Sequence, residues 1–453
     1  MLLNINNNLS SIHFFQKKIR ERFMETKKRT FTRFLIIQVL LIGVLWAADR
    51  IFFFFESEFF NTYLDHVLNL PNVDLYIAIM VTLSAIMGLI MNFVWGVFSD
   101  NTRSKWGRRR PYFLFGIIAG IGMILYGLSN NYIICIIIDV LIIGVTSNAV
   151  SVSQRAIIPD TVDLERRGRA NGIIQAISYL GLIVALAFFL LGNELFGVPA
   201  PFPKTGTIIT QEGHFILLTI GGLIYIVCCV IGFLLIREKS ASELPPKRKF
   251  IKELKDLVDL KQLKEQKNFF EILLAATIFT AGIYSVLPFL FVYIFGLGFT
   301  TTELLISVAV GFVILIPAVI FLGRLADKFG RKRFLPILIV IISITYACMI
   351  FVTMGTEVNY ILFVVLLPFI LIGLLGLDTI INAWAQDTLP EDKRGKFYGI
   401  FNMVYTLSQM GGSLFAGIFS VTFGRPAIFI VGAILFLISI PFFLWVKETL
   451  TKK

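Results

Sequence analysis

The chain has 453 residues, of which 57% are hydrophobic and only 15% are charged. Soluble domains carry about 25% charged residues, so this composition excludes an ordinary soluble protein and favours a lipid environment. The formal net charge is +12, yet Lys and Arg lie in short segments between apolar runs. That distribution is typical of membrane topology and argues against a nucleic-acid-binding surface.

Twelve apolar runs are long enough to cross about 30 Å of hydrocarbon as helices, which takes roughly 20 residues each. In chain order they cover residues 34–60, 75–98, 112–129, 132–157, 170–192, 214–236, 269–295, 303–323, 334–354, 358–384, 397–422 and 426–446. We therefore predict an all-α membrane protein with twelve transmembrane helices. The segment before the first run is basic and polar and has no apolar core, unlike a signal peptide.

Positive charge is concentrated on one side of the predicted membrane. If the N-terminus lies inside, the inside segments hold 37 of the 41 Lys and Arg residues. The positive-inside rule then predicts that both termini are cytoplasmic. We expect the protein to lie in the plasma membrane.

The two halves of the chain repeat. The segment 96–100 is followed by a basic cluster and a helix, and 323–327 repeats this pattern 227 residues later. Asp160-Thr161 recurs as Asp387-Thr388, at the same offset of 227. Two motifs with one offset indicate a duplicated six-helix unit, giving two pseudo-symmetric bundles. The predicted organisation is a cytoplasmic segment 1–33, a first bundle 34–236, a cytoplasmic linker 237–268, a second bundle 269–446 and a cytoplasmic tail 447–453.

One loop carries a family resemblance. The pattern Gly96-x3-Asp100-x2-Arg103-Ser104-Lys105-Trp106-Gly107-Arg108-Arg109-Arg110-Pro111 resembles the loop between helices two and three of the major facilitator superfamily. Its Arg-Ser-Lys-Trp-Gly-Arg-Arg-Arg-Pro form, and the segment 154–160 that ends helix four, resemble the branch of sucrose transporters and glycoside–pentoside–hexuronide:cation symporters. The similarity runs from about residue 40 to 445.

The resemblance implies a major facilitator fold in which two bundles give alternating access to a substrate near the midplane. Melibiose-type symporters carry two carboxylates on helix two for cation binding. Those positions are Gly88 and Asn92 here, which argues against a sodium site of that design.

The loop motif also has a physical interpretation. Asp100 lies at the predicted cytoplasmic end of helix two, and Gly96, one turn earlier, permits close helix approach. A carboxylate there can pair with an Arg or a helix N-terminus in one conformation and release it in another. We predict a cytoplasmic gate, with topological anchoring as a compatible alternative. The candidate gate residues are Gly96, Asp100, Arg103, Arg108, Arg155, Asp160, Asp327, Arg331 and Asp387.

Arg155 lies near the inner end of helix four and has two interpretations. It either binds substrate hydroxyls or pairs with Asp100, and its position near the cytoplasmic surface favours the pair.

Charges inside the membrane cost about 2.5–3.5 kcal/mol each on insertion scales and are therefore functional candidates. Helical spacing places Gln38, Asp49 and Glu56 on one stripe, which must face protein or water. Arg50 points about 100° away, towards a carboxylate on a neighbouring helix. These groups predict a binding wall for substrate and proton, with a structural Asp–Arg ion pair as the alternative.

The intramembrane charges are unequal between the halves. The first half holds Asp49, Arg50, Glu56 and Asp139, whereas the second holds only Asp378. A carboxylate in a low-dielectric cavity can exchange a proton near neutral pH. We therefore expect proton coupling, concentrated in the first half.

Polar stripes on helices five, ten and eleven suggest a shared wet cavity. Amides and hydroxyls beside aromatic rings suit a polyhydroxylated ligand, and interhelical hydrogen bonding is the alternative for any single residue. The candidate substrate- and ion-binding residues are Asp49, Arg50, Glu56, Asp139, Gln175, Tyr179, Asp378, Asn382, Asn402 and Tyr405.

The predicted function is proton-coupled symport of a sugar or glycoside. A lipid or lysolipid carrier and a multidrug exporter of the same fold are alternatives. A membrane-embedded enzyme is the alternative from another class, but the sequence has no His-Glu-x-x-His pair, no metal-ligand spacing and no Gly-x-Ser-x-Gly motif. We expect no catalytic residue, no metal and no cofactor; the expected partners are a small molecule, a proton and the bilayer.

Overall fold

The computed structural model describes residues 33–162, 164–201, 206–238, 266–354, 357–388 and 394–449. Nearly all of the predicted N-terminal segment and most of the predicted linker lie outside these residues. Twelve helices follow one another in the described part of the chain. They are α1 Arg33–His66, α2 Val73–Asn101, α3 Arg110–Tyr126, α4 Tyr132–Thr161, α5 Leu164–Phe196, α6 Gln211–Leu235, α7 Lys267–Gly296, α8 Thr301–Phe329, α9 Arg331–Val352, α10 Tyr360–Asp387, α11 Arg394–Phe423 and α12 Ala427–Trp445.

Ten of these helices are long and apolar enough to cross a membrane. The other two, α3 and α11, are a shorter apolar helix and a 30-residue helix with polar residues along its length. Each of the twelve lies at the position predicted for it. The predicted fold class, an all-α membrane protein of twelve helices, is therefore confirmed.

The helices begin where side chains can satisfy their first N–H groups. Thr300 and Glu303 form a reciprocal capping box at the start of α8, which matches the Thr-x-x-Glu sequence signal. Asn131, Thr210 and Asn359 cap α4, α6 and α10. A short hairpin, β1 Gly197–Pro199 paired with β2 Thr207–Ile209, connects α5 to α6.

The two sides of the molecule differ in charge. We name the side with the loop 102–109, between α2 and α3, the basic side. The other side, with the loops 67–72 and 424–426, is the opposite side. Since each helix crosses once, the described ends at Arg33 and Thr449 both lie on the basic side.

Helix packing repeats between the halves, residues 33–238 and 266–449. In the first half α1 packs against α5, α2 against α4, and α3 against α6. In the second half α7 packs against α11, α8 against α10, and α9 against α12. These pairs correspond one to one after a shift of six helices, so the predicted duplication of a six-helix unit is confirmed.

Three helices contain a wide, π-helical turn within the span: Phe55–Phe59 in α1, Ile137–Ile143 in α4 and Ile372–Gly376 in α10. Such turns insert an extra residue into the helical ladder and are frequent at functional sites. Glu56 and Asp139 lie within the first two turns, and Asp378 follows the third by two residues.

Candidate functional site

Asp49 lies half way along α1 and is held by two neighbouring helices. Ser151 on α4 donates its hydroxyl to Asp49 Oδ1 over 3.1 Å, and Tyr225 on α6 donates its hydroxyl to the same oxygen over 3.2 Å. Arg155 and Arg50 both lie within electrostatic range of the carboxylate. Asp49 therefore has hydroxyl donors and two nearby cations, which reduce the cost of placing its charge inside the membrane.

The predicted stripe of α1 faces α4 and α6. Gln38 accepts a hydrogen bond from the Arg237 N–H over 2.8 Å and donates to the Leu235 carbonyl, so it ties α1 to the end of α6. Glu56 approaches Asp139 on α4. Gln38 thus has a structural role at the end of α6, whereas Asp49 and Glu56 contact polar groups of other helices inside the membrane span.

Arg50 binds a hydroxyl and not the carboxylate on a neighbouring helix that we predicted. Its Nε donates to Ser178 Oγ on α5 over 3.2 Å, and its charge lies within range of Tyr284 on α7. The side chain is exposed, so the guanidinium has room to contact a further group between the halves.

Asp378 organises the corresponding polar group in the second half. Its Oδ2 accepts from Asn382 Nδ2 over 2.8 Å, and its Oδ1 accepts from the Tyr405 hydroxyl over 3.3 Å. Tyr284 lies within electrostatic range, with its ring edge-on to Tyr405 at 6.4 Å. Two tyrosine rings, an amide and a carboxylate therefore meet beside Arg50 of the first half.

The 227-residue offset relates the two polar groups. It pairs Ser151 with Asp378, Arg155 with Asn382 and Ser178 with Tyr405. Ser178 accepts a hydrogen bond from Arg50, and Tyr405 donates one to Asp378, so each binds a charged group in the centre of its half. The predicted correspondence of α5 with α11 thus extends to hydrogen bonding at one pair of positions.

Three predicted binding residues are not joined to these groups by any hydrogen bond among the described residues: Gln175, Tyr179 and Asn402. Gln175 is partly buried, whereas Tyr179 is 54% exposed and Asn402 is also exposed. Asn92 also has a local role, since its amide binds Asn148 Oδ1 over 2.9 Å beside Gly88.

The predicted gate residues form an ion-pair cluster on the basic side. Arg108 Nε donates to Asp160 Oδ2 over 2.9 Å, and Arg109 Nε donates to the same oxygen over 3.2 Å. Arg109 also binds Asp100 and donates to Ser99 Oγ. The predicted pair between Asp100 and Arg155 is wrong for this conformation, because Arg109 binds Asp100 and Arg155 lies near Asp49.

Of three further gate residues, Arg103 has a local contact, Gly96 has open space beside it, and the side chain of the third is not described. Arg103 Nη1 donates to the carbonyl of Asp100 over 2.7 Å, which caps the end of α2. Gly96 has open space beside it, since a methyl group added there meets no atom within 4 Å. The side chain of Asp327 lies outside the described residues.

A glutamate that we did not predict completes this cluster in each half. The Glu238 carboxylate accepts from the backbone N–H groups of residues 108, 109 and 110 over 2.9, 3.0 and 2.6 Å. In the second half Arg331 pairs with Asp387 at 2.7 Å, and Glu448 accepts from the Lys332 N–H over 2.9 Å. Both glutamates place negative charge at a helix N-terminus, where the helix dipole stabilises it. The shared endings Ile-Arg-Glu and Val-Lys-Glu after the last span of each half are the sequence signal for this pair.

On the opposite side the two halves are joined by a second ion cluster, which we also did not predict. Arg425, between α11 and α12, binds Asp74 on α2 over 3.1 Å and Asp65 on α1 over 3.5 Å. Ser420 donates its hydroxyl to Asp74. The side chains of both aspartates are only 8% exposed. Burial alone lowers the pKa of Arg425, but Asp74 and Asp65 together raise it above its ordinary value.

Other contacts close the same side. Asn61 Nδ2 donates to the Pro288 carbonyl over 2.8 Å, and Asn193 Nδ2 donates to Thr301 Oγ1 over 3.4 Å. The Phe189 ring lies 4.6 Å from Phe291, across the boundary between the halves. On this side α1 therefore meets α7, and α5 meets the start of α8.

The same helices leave open space towards the basic side. A methyl group added at any of three glycines near the basic-side ends of α2, α5 and α8 meets no atom within 4 Å; these are Gly96, Gly172 and Gly323. At Gly417, nearer the opposite side, it would lie 2.5 Å from Ala78 Cβ and 2.9 Å from the Asp74 carbonyl oxygen. The two halves therefore meet on the opposite side, whereas the basic-side ends of α2, α5 and α8 have open space beside these glycines.

This asymmetry predicts thiol accessibility. In a variant without the four native cysteines, Gly96→Cys should react readily with a membrane-impermeant maleimide added from the basic side. Ser420→Cys is the matched control. Cys is close to Ser in size, and this position is buried against Asp74, so it should react at least tenfold more slowly. Labelling rates read by a mass shift check this; equal rates at both positions would contradict the open and closed sides described above.

A repeated twelve-helix membrane fold, with charged groups of both halves at mid-depth and only one side closed, defines the class of polytopic membrane transporters. A family model described as Major Facilitator Superfamily matches residues 40–413 and 362–453. The chain belongs to the Major Facilitator Superfamily. No curated protein sequence matches it.

Solved structures share this fold. The crystal structure of a bacterial homologue of the human lysosomal transporter Spinster, inward-facing and unoccupied, superposes with a TM-score of 0.68 at 15% sequence identity, covering 92% of this chain and 98% of that one. The nucleoside transporter NupG superposes with a TM-score of 0.63 at 13% identity, covering 90% of this chain and 98% of that one. At such low identity the likeness establishes the fold, and a transporter rather than an enzyme follows from the family.

Proposed function

We propose that this transporter moves a sugar or glycoside together with a proton by alternating access. The observation that best supports the proposal is the meeting of polar groups from both halves at mid-depth. Arg50 on α1 and Asp378 on α10 both lie within electrostatic range of Tyr284 on α7. A ligand held there contacts both halves, so their relative rocking changes which side it can reach.

The chemistry of these groups supports a hydroxylated ligand. Asn382 offers an amide with donors and an acceptor, Tyr405 offers a hydroxyl, and Arg50 and Arg155 offer planar donors. The rings of Tyr284 and Tyr405 provide faces for the apolar side of a sugar ring. The loop motif adds the resemblance to the sucrose and glycoside symporter branch.

The moving parts follow the predicted organisation. We take residues 34–236 and 269–446 as the two rocking bundles, and 237–268 as the linker between them. We take the membrane to be the plasma membrane, and the positive-inside rule favours the basic side as the cytoplasmic one. The clusters around Asp160 and Asp387 are then cytoplasmic gate elements, and the cluster around Arg425 is the outer one.

Counterflow in proteoliposomes tests this function. Vesicles preloaded with an unlabelled compound should take up the same labelled compound without any ion gradient. A pH gradient should drive net accumulation. The panel needs disaccharides, simple glycosides and nucleosides, because nucleosides are glycosides and the fold is shared with a nucleoside transporter. A lysolipid and a lipophilic cation represent the two alternative functions. Exchange of either of these, with no exchange of any sugar or glycoside, would remove the proposed substrate class.

A further inference from the structure

A buried carboxyl group, Asp139, and a partly buried one, Glu56, approach each other between α1 and α4. Asp139 is 3% exposed and accepts a hydrogen bond from the Ser84 hydroxyl on α2. Glu56 lies within hydrogen-bond reach of Asp139. The Glu56 Oε2 atom is buried, yet no donor among the described residues reaches it. Two ionised carboxylates offer only acceptors, so they cannot form a hydrogen bond with each other unless one of them is protonated.

The charges around the pair give it no counter-ion. The ionisable groups facing it are the Asp49 carboxylate, the hydroxyls of Tyr126, Tyr132 and Tyr225, and the Cys135 thiol. No Lys or Arg of the described residues acts on Glu56 or Asp139. Two negative charges a hydrogen bond apart in a low-dielectric site cannot both persist, and one proton both removes a charge and supplies the missing donor.

Asp49 differs from the pair in this respect. It has Arg155 and Arg50 within electrostatic range and accepts hydrogen bonds from Ser151 and Tyr225. Its negative charge therefore has cations and donors that the pair lacks. Asp49 thus has counter-ions, whereas Glu56 and Asp139 form a pair of carboxyls without one among the described residues.

The backbone at the pair is adjustable. Glu56 lies in the π-helical turn of α1, and Asp139 lies in that of α4, where the Gly144 N–H reaches back five residues to the Asp139 carbonyl. A π-helical turn can return to α-helical pairing by moving one residue, which changes where its side chains point. A change in either turn would separate the two carboxyls.

We propose that Glu56 and Asp139 together hold the coupling proton. Asp49 lies outside this proton site and belongs to the substrate-binding residues. This inference rests on the proposed transport function. One carboxylate oxygen gains a proton from water on one side of the membrane, which forms an O–H bond shared with the second carboxyl. The same proton returns to water on the other side after the conformational change, so one positive charge moves per cycle.

The test compares coupled and uncoupled transport in proteoliposomes, using the compound that wild-type protein exchanges most strongly. At one proton per substrate, a pH difference of one unit should drive about tenfold accumulation by wild-type protein. Glu56→Gln and Asp139→Asn should each reduce this to about onefold while retaining counterflow. A pH dye inside the vesicles should record substrate-dependent proton entry for wild-type protein only.

Glu58→Gln is the matched control. Glu58 lies in the same π-helical turn and is 5% exposed, but it accepts from the Ser57 hydroxyl over 2.8 Å. Its variant should keep the tenfold accumulation within a factor of two. Loss of coupling in this variant alone would move the proton site to Glu58 and overturn the assignment.

Ser84→Ala is a milder variant that removes no buried charge, and it serves if the acid variants do not fold. The Ser84 hydroxyl stabilises the ionised form of Asp139, so its loss should move the pH of half-maximal uptake upward by about one unit. An unchanged pH profile would contradict the assignment.

Other outcomes separate this inference from the proposed function. Absence of counterflow for every compound with wild-type protein would reject the proposed function. Counterflow with tenfold accumulation in both acid variants would reject the proton site alone. Accumulation driven by a sodium gradient and lost in both acid variants would make sodium the occupant and overturn the proton assignment.

Discussion

Replacing Arg425 with Gln should open the opposite side of the molecule. Arg425 is the cation that Asp74 and Asp65 of the first half share, and it comes from the second half. Removal of one partner from a buried ion pair leaves an uncompensated charge and costs about 3–5 kcal/mol. Two buried carboxylates would be left here, so a shift of about 3 kcal/mol, or roughly a hundredfold in population, is expected away from the closed state.

Accessibility of Thr301→Cys measures this shift, because the Asn193 side chain contacts Thr301 across the boundary only while the opposite side is closed. The Arg425→Gln variant should raise its labelling rate from the opposite side. Arg333→Gln is the control, since Arg333 is exposed on the basic side. Adding Asp65→Asn and Asp74→Asn to Arg425→Gln should restore slow labelling, because the cluster is then neutral. An unchanged rate in Arg425→Gln would show that this cluster does not hold the side closed.

Replacing Asp160 with Asn should destabilise the protein far more than replacing Asp387 with Asn. Asp160 is 13% exposed and binds two arginines whose side chains are 10% and 6% exposed. Its neutralisation leaves the buried Arg108 without the carboxylate that it binds and Arg109 with Asp100 alone, at a cost of about 3 kcal/mol. Asp387 occupies the repeated position, but it is 43% exposed, and its described ion pair is with Arg331. A half-exposed pair contributes about 0.5 kcal/mol.

Thermal unfolding of the purified protein in detergent compares these two variants. The midpoint should fall several times further for Asp160→Asn than for Asp387→Asn. Asn keeps the size of Asp in both variants, so the difference reports charge and burial and not packing. Equal shifts would mean that the repeat makes the two clusters energetically equivalent despite their different burial.

The architecture was predictable because each span must satisfy its backbone hydrogen bonds within one long apolar helix. The twelve runs, the common 227-residue offset and the basic loops therefore correspond to helices, paired bundles and one charged side. The pairing of Asp160 and Asp387 with arginines could also be predicted from the sequence, since each acid ends a helix close to a basic cluster.

The partners of buried charges were harder to predict, because helical periodicity gives the direction of a side chain and not the helix that it meets. Arg50 was expected to meet a carboxylate and meets Ser178. Glu238 and Glu448 were missed because the backbone N–H groups that they accept from, at Arg108 and Lys332, lie 130 and 116 residues earlier in the chain.

The cluster around Arg425 was missed for a different reason. Asp65, Asp74 and Arg425 lie in or beside short connections, where charges are expected to face water. They are buried only because the two halves meet there. Such burial follows from the conformation, and a sequence does not specify which of two conformations is populated.

The central claim is that the two halves close on the opposite side and must separate there during transport. A cross-link tests it most directly. With Asn193→Cys and Thr301→Cys in a cysteine-free protein, a short bifunctional thiol reagent should join α5 to α8 and abolish counterflow, and a reducible reagent should allow recovery on reduction. Full counterflow by the cross-linked protein would contradict the claim.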